Sequence, residues 1–212
     1  MNKKPLVVSF YTEGSLYEKE AENLIKSCKK FNLDYDVVSV PNKGSWSANC
    51  CFKPEFLLKK LEEHNRPLIW MDADSIFNKN PVFFNDCNAD VALRINDNVP
   101  VDDKTKILTR TIFLNATLST KKLLQFWKKE CERCLALNKI VFDQVCLRKV
   151  VLHYPTIVEI KRLPISYIYT IDNPNDRENI DEEAVIVHYQ VSRLHKNTID
   201  EEATLTSSRK TS

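Results

Sequence analysis

Two aspartates, Asp72 and Asp74, stand two residues apart immediately after the apolar run Leu68-Ile69-Trp70-Met71. Carboxylates this close repel unless a cation is shared between them. Hard oxygen ligands select Mg²⁺ or Mn²⁺, and such an ion set against a diphosphate neutralises the charge that grows on a departing nucleotide. No basic residue adjoins the pair in sequence. A solvated strand-end turn with Ser75 and Asn78 is the competing reading, because Asp-x-Asp taken alone is a weak signal. His188 closes a late apolar stretch, Val185–Tyr189. It reads as a satisfied core histidine on its own and as a third metal ligand beside the aspartate pair, since imidazole with carboxylates suits Mn²⁺. Arg193 and Lys196 follow, as holders of diphosphate oxygens or as a solvated basic turn.

The elements that must position these residues read as an α/β domain. Leu6–Tyr11 is a short apolar strand, and Leu16, Ala21, Leu24, Ile25, Cys28 and Phe31 form a helical stripe after it. Asp36–Val40 is a second strand, so the order predicts a parallel pair with a crossover helix. Residues 41–51 read as polar and irregular. A helix follows from about Pro54, its proline suited to the first turn. The strand from Leu68 then delivers Asp72 and Asp74 at its C-terminal end, where open α/β sheets bind ligands. Further strands are expected at Asp90–Leu93 and Thr111–Leu114, a long helix capped by Ser119, a short helix near Asp143 and a last strand at Val185–Tyr189. Trp46, Trp70 and Trp127 read as core.

The chain has 212 residues, 43% of them hydrophobic. That is enough for one sizeable core, and the division expected is a domain over 1–197 with a polar tail over 198–212. With 31 basic and 29 acidic residues, the charge is too balanced for a nucleic-acid polymer to be the partner. No apolar run approaches the roughly 20 residues of a membrane span. Seven cysteines, an odd and scattered set, fit reduced thiols and a cytoplasmic setting. Cys131 and Cys134 have CxxC spacing but sit in a helical pattern with no second CxxC or His pair, and read as buried helix-face thiols. With two glycines, the chain has neither a P-loop nor a GxGxxG fingerprint.

The segment from Lys53-Pro54 through Leu68-Ile69-Trp70-Met71-Asp72-Ala73-Asp74 to Asn80-Pro81-Val82-Phe83-Phe84 resembles the donor-binding region of GT-A glycosyltransferases. The likeness is to the glycogenin/galactosyltransferase group and the related nucleotide-diphospho-sugar transferases. Thr111-Ile112-Phe113-Leu114-Asn115, Phe142-Asp143-Gln144 with Leu147, and Val187-His188-Tyr189 resemble later family elements in order. The chain departs at Thr109-Arg110, where the families often carry Gly, and at the ending His188…Ser192-Arg193.

The resemblance implies a single GT-A, Rossmann-like domain with a mixed, mostly parallel sheet flanked by helices. It implies a metal site of Asp72, Asp74 and His188 holding Mn²⁺ or Mg²⁺, and a nucleotide-sugar donor, with retaining UDP-sugar enzymes as the nearest group. Tyr11 and Thr12 would pack the nucleobase, with Tyr11 as a stacking face. Lys53 would touch donor phosphate or sugar, though a surface lysine is the alternative. Asp90 and Asn115 would meet sugar hydroxyls. Asp143 would orient the acceptor hydroxyl, or cap its helix, and Gln144 would lie beneath the sugar face. The acceptor (glycan, lipid or protein) is not specified by sequence. Two rival readings accompany this one. A haloacid-dehalogenase-type phosphatase would use Asp72 as nucleophile and Asp74 as general acid, and a GT-A domain that has lost turnover would only bind the nucleotide sugar.

Overall fold

The computed structural model describes residues 3–137, 141–171 and 180–193. The first strand, β1 (Leu6–Thr12), is followed by α1 (Tyr17–Lys30) and β2 (Tyr35–Val40). α1 carries Glu18 and Glu20 in its first turn and Lys29 and Lys30 in its last, the charge order that complements a helix dipole. Leu16, expected in its apolar stripe, is exposed.

Two helices come next, where one was expected. α2 (Trp46–Cys51) forms inside the segment read as irregular because Ser45 caps it, its Oγ accepting from Ala48 N at 3.1 Å. α3 (Lys53–His64) has Pro54 in its first turn and ends at Asn65, which takes a left-handed conformation at φ 45°. β3 (Leu68–Met71), β4 (Ser75–Phe77), β5 (Val91–Ile95) and β6 (Ile107–Leu114) precede the long α4 (Leu118–Ala136). Thr117 rather than Ser119 caps α4, its Oγ1 accepting from Thr120 N. The chain continues through α5 (Asp143–His153), β7 (Ile160–Arg162), β8 (Tyr169–Thr170) and β9 (Ile186–His188).

Six strands form the main sheet in the order β2-β1-β3-β6-β5-β7. β1 is parallel to β2 and β3, β5 is parallel to β7, and β6 runs antiparallel to both of its neighbours. Five strands therefore point one way and β6 the other. A smaller sheet, β4-β9-β8, packs at the C-terminal end of β3.

The period of two along β1 and β3 splits their side chains between two cores. Leu6, Val8, Leu68 and Trp70 face the helices α3, α4 and α5, with Leu57, Leu124, Trp127 and Leu147 among their partners. Val7, Ile69 and Met71 face the other way, onto Leu24 and Cys28 of α1 and onto Phe77, Phe84 and Tyr167. Burial on both faces is the reason these strands read as continuous apolar runs. No helix among the described residues is long and apolar enough to cross a membrane.

Candidate active site

A cleft of about 390 Å³ opens at the C-terminal ends of β1 and β3. Asp72, Asp74, His188, Lys53, Asp143, Gln144, Tyr11, Thr12 and Arg193 all line it. Residues scattered over most of the sequence thus converge on one wall, at the sheet end where α/β folds bind ligands.

Asp72 leaves β3 with 28% of its side chain exposed, and its Oδ1 accepts from Trp70 Nε1 at 2.9 Å and from Lys53 Nζ at 3.1 Å. Trp70 is core, as expected, yet its ring nitrogen also aims the first aspartate. Lys53 is buried, not a surface lysine. Its ammonium lies 2.8 Å from Asp143 Oδ2, donates to Thr109 O at 3.2 Å and sits 5.0 Å above the Trp70 ring. Burial opposes its charge, but the two carboxylates win and raise its pKa. The base missing beside the aspartates in sequence is therefore supplied from α3, 19 positions upstream.

Asp74 is buried, and its Oδ2 accepts from Val191 N at 2.9 Å. Its backbone carbonyl accepts from Tyr189 N, so the residues that follow β9 are tied to the second aspartate. Burial, reinforced by the Asp72 charge, pushes Asp74 up to about 7. His188 reaches the same wall because β9 pairs antiparallel with β4, opposite Ser75. It is fully buried, and its Nε2 lies 2.9 Å from Thr111 Oγ1. Burial, with Arg110 and Lys53 nearby, holds its pKa well below the usual range, so the ring is neutral.

The donor set suits a hard divalent ion in kind: two carboxylates and a neutral imidazole whose buried Nδ1 has no hydrogen-bond partner among the described residues. As placed, the ligand atoms of Asp72, Asp74 and His188 do not all lie within 4.8 Å of one another. The Lys53–Asp72 pair shows what holds the first carboxylate instead.

Asp143 opens α5 but makes no capping hydrogen bond; Phe142 is the cap residue and the Asp143 carboxylate turns to Lys53. Gln144 donates from Nε2 to Lys104 O at 2.9 Å. Asp90 and Asn115 are elsewhere. Because β6 is antiparallel to β3, Leu114 pairs with Leu68 while Thr111 pairs with Met71. Asn115 therefore emerges at the end of the sheet opposite Asp72, where it lines a separate cavity of about 260 Å³. Asp90, just before β5, lies at that same end, its carboxylate accepting from Thr117 Oγ1 at 2.6 Å and Glu159 N at 2.9 Å. The expectation that these two meet the donor sugar is revised on strand direction. Lys196 lies outside the described residues.

Several lining residues had no sequence signal. Trp46, read as core, is exposed at the cleft mouth and packs edge-on against Phe142 with centroids 5.0 Å apart. Tyr17, at the start of α1, lines the cleft, and burial with Asp74 nearby raises its pKa. Arg110, noted only as a departure from the family pattern, lines it too and donates to Thr170 Oγ1 at 2.6 Å.

The sequence profile of the nucleotide-diphospho-sugar transferases matches residues 20–198. The chain belongs to this family. No curated protein matches its sequence. Among solved structures, this transferase is similar to a glycosyltransferase involved in the glycosylation of the major capsid of PBCV-1, at 15% identity and a TM-score of 0.66, over 94% of this chain and 100% of that one. It is similar to the galactosyltransferase LgtC, crystallised with donor and acceptor sugar analogs, at 10% identity and a TM-score of 0.51, over 87% of each chain. A third likeness is to the glycosyltransferase GlyE of Streptococcus pneumoniae TIGR4, at 15% identity and a TM-score of 0.53, over 88% of this chain and 55% of GlyE. At these identities the likeness establishes the GT-A fold of the transferase. With the family assigned, the phosphatase alternative has no support.

Proposed function

We propose that the transferase moves a sugar from a UDP-sugar to an acceptor hydroxyl, with Asp72, Asp74 and His188 as the residues that hold Mn²⁺ or Mg²⁺. The observation that carries this reading is the convergence of both aspartates with a neutral, buried histidine whose Nδ1 is unpartnered among the described residues, all on the cleft wall. When bound, the ion would supply Lewis-acid stabilisation of the departing diphosphate.

The protein's own groups account for the rest. Tyr11 and Thr12, at the end of β1, offer a face and a hydroxyl for the nucleobase. Arg193 supplies a planar cation suited to phosphate oxygens. Lys53, held in place by Asp72, Asp143 and Thr109, is a preorganised positive charge in the lining of the cleft. Asp143, ion-paired with Lys53, would orient the acceptor hydroxyl, and Gln144 follows it in the same cleft. Retention at the anomeric carbon is proposed with the donor, on the likeness to the retaining UDP-sugar group.

Calorimetric titration of UDP and GDP, with and without Mn²⁺, on wild type and on the Asp72→Ala/Asp74→Ala double variant tests this. Mn²⁺-dependent UDP binding that disappears in the variant is the expected result. Equal binding by the variant, or no nucleotide binding by wild type, would sink the assignment.

A further inference from the structure

Away from the cleft, three helices bring sulfur together. Cys51 ends α2, Cys131 lies in the C-terminal half of α4 and Cys146 lies on the first turn of α5. All three are buried, and their Sγ atoms lie within 4.8 Å of one another. Cys134, one turn beyond Cys131 on the same face of α4, is buried as well, and its thiol donates to Glu130 Oε1 at 3.4 Å. Cys131-x-x-Cys134 in a helix carries no metal signal by itself; folding adds two thiols from positions 51 and 146.

We propose that Cys51, Cys131 and Cys146, with Cys134 as the fourth sulfur, form a binding site for a thiophilic divalent ion of the zinc class. Tetrahedral coordination with Zn–S bonds of about 2.3 Å separates the sulfurs by about 3.8 Å. A triangle already inside 4.8 Å reaches that with shifts of about 1 Å. Each thiol releases its proton to solvent as its sulfur takes the ion.

Three mutually adjacent thiols favour an ion over a disulfide, which joins two sulfurs and strands the third. Charge is managed locally as well. Four thiolates around a divalent ion leave two negative charges, and Lys149 Nζ is 3.8 Å from Cys134 Sγ. Glu130, whose Oε1 lies 3.4 Å from the same sulfur, is itself paired with Arg133 at 2.7 Å and Lys149 at 3.3 Å. Two cations, Lys149 and Arg133, stand there against the one carboxylate of Glu130, a setting that eases loss of the thiol protons.

The placement gives the site a consequence. α2 presents Trp46 to the cleft mouth, and α5 begins with Asp143 and Gln144. An ion between Cys51 and Cys146 clamps both helices to α4 and so fixes the wall assigned to the acceptor.

Cobalt(II) is the probe. The full chain, stripped with chelator under reducing conditions, is titrated with Co²⁺ while thiolate-to-cobalt charge-transfer absorption is recorded, a band that carboxylate and imidazole ligands do not give. The proposal expects saturation at about one equivalent, bleaching by Zn²⁺ and proton release on binding. Asp74→Ala keeps the band, which separates this site from the cleft, and so does Cys28→Ser, whose thiol is buried in the opposite core. Cys146→Ser loses it. Cys134→Ser serves as the second variant should Cys146→Ser fail to fold, and weakens the band. A wild type without the band, a band untouched by both cluster variants, or a disulfide among these cysteines in the non-reduced protein overturns the site.

Discussion

The two ends of the main sheet each carry an aspartate beside a strand, and the two are used in opposite ways. At one end, both oxygens of Asp90 are taken up by Thr117 and Glu159, and its backbone carbonyl accepts from Asn115 N and Thr120 Oγ1. Asp90 is a staple that ties the start of β5 to the cap of α4 and the approach to β7. At the other end, Asp72 and Asp74 line a cleft with a buried histidine nitrogen that none of the described residues satisfies. Buried polar groups are normally paired. Every oxygen of Asp90 is spent on holding the fold, whereas the His188 nitrogen is left over beside two carboxylates, and the proposed metal site rests on that difference.

Four variants test that contrast. The largest effect is expected from Asp72→Ala/Asp74→Ala, with transfer from UDP-sugar falling by at least about 10²–10³-fold in a product-release assay. A loss of less than about tenfold would put the two aspartates on the same footing as Asp90. Next comes Lys53→Met, which leaves Asp143 and Asp72 without their buried cation. We expect a loss of about 3–5 kcal/mol in denaturant unfolding, with nucleotide binding weakened in whatever fraction stays folded. Asp90→Ala is the reciprocal case: stability falls by about 1–3 kcal/mol while UDP affinity at saturating Mn²⁺ is unchanged. An affinity loss there would return Asp90 to the donor site.

The smallest effect is a pH dependence. Asp74 titrates near 7 in the folded chain against an ordinary carboxyl value of 3.8. Between those values the folded state holds the extra proton, so this group's contribution to stability falls as pH rises from about 4 to 7. Asp74→Asn removes the penalty. Without divalent ions, its stability relative to wild type should rise by about 1–3 kcal/mol between pH 4 and pH 8, read from paired thermal melts. His188, with its lowered pKa, acts in the other sense, favouring the fold above about 6.5 and withdrawing that support as pH falls. The wild-type curve alone therefore mixes the two, and the difference between the variants isolates Asp74.

Much of the fold was legible from periodicity. Leu68–Met71 is buried on both faces and reads as a continuous apolar run; β1, α1, β2 and α4 follow similarly from their patterns. Harder to read were elements whose cause is a single side chain, such as α2 behind Ser45 or the cap of α4 at Thr117. Trp46 was misread because a tryptophan in a polar segment carries no periodicity to say which way it faces.

By itself, the sequence determined that one α/β domain presents Asp72 and Asp74 at the end of a buried strand, with His188 on a later one. Local apolar pattern and residue chemistry suffice for that. Only the tertiary structure decided three other things: that Lys53 is the buried counter-ion of Asp72 and Asp143, that Asn115 and Asp90 belong to the far end of the sheet, and that thiols from α2, α4 and α5 meet. Each depends on strand direction or helix packing between residues far apart in the chain. Composition and spacing hold no record of either.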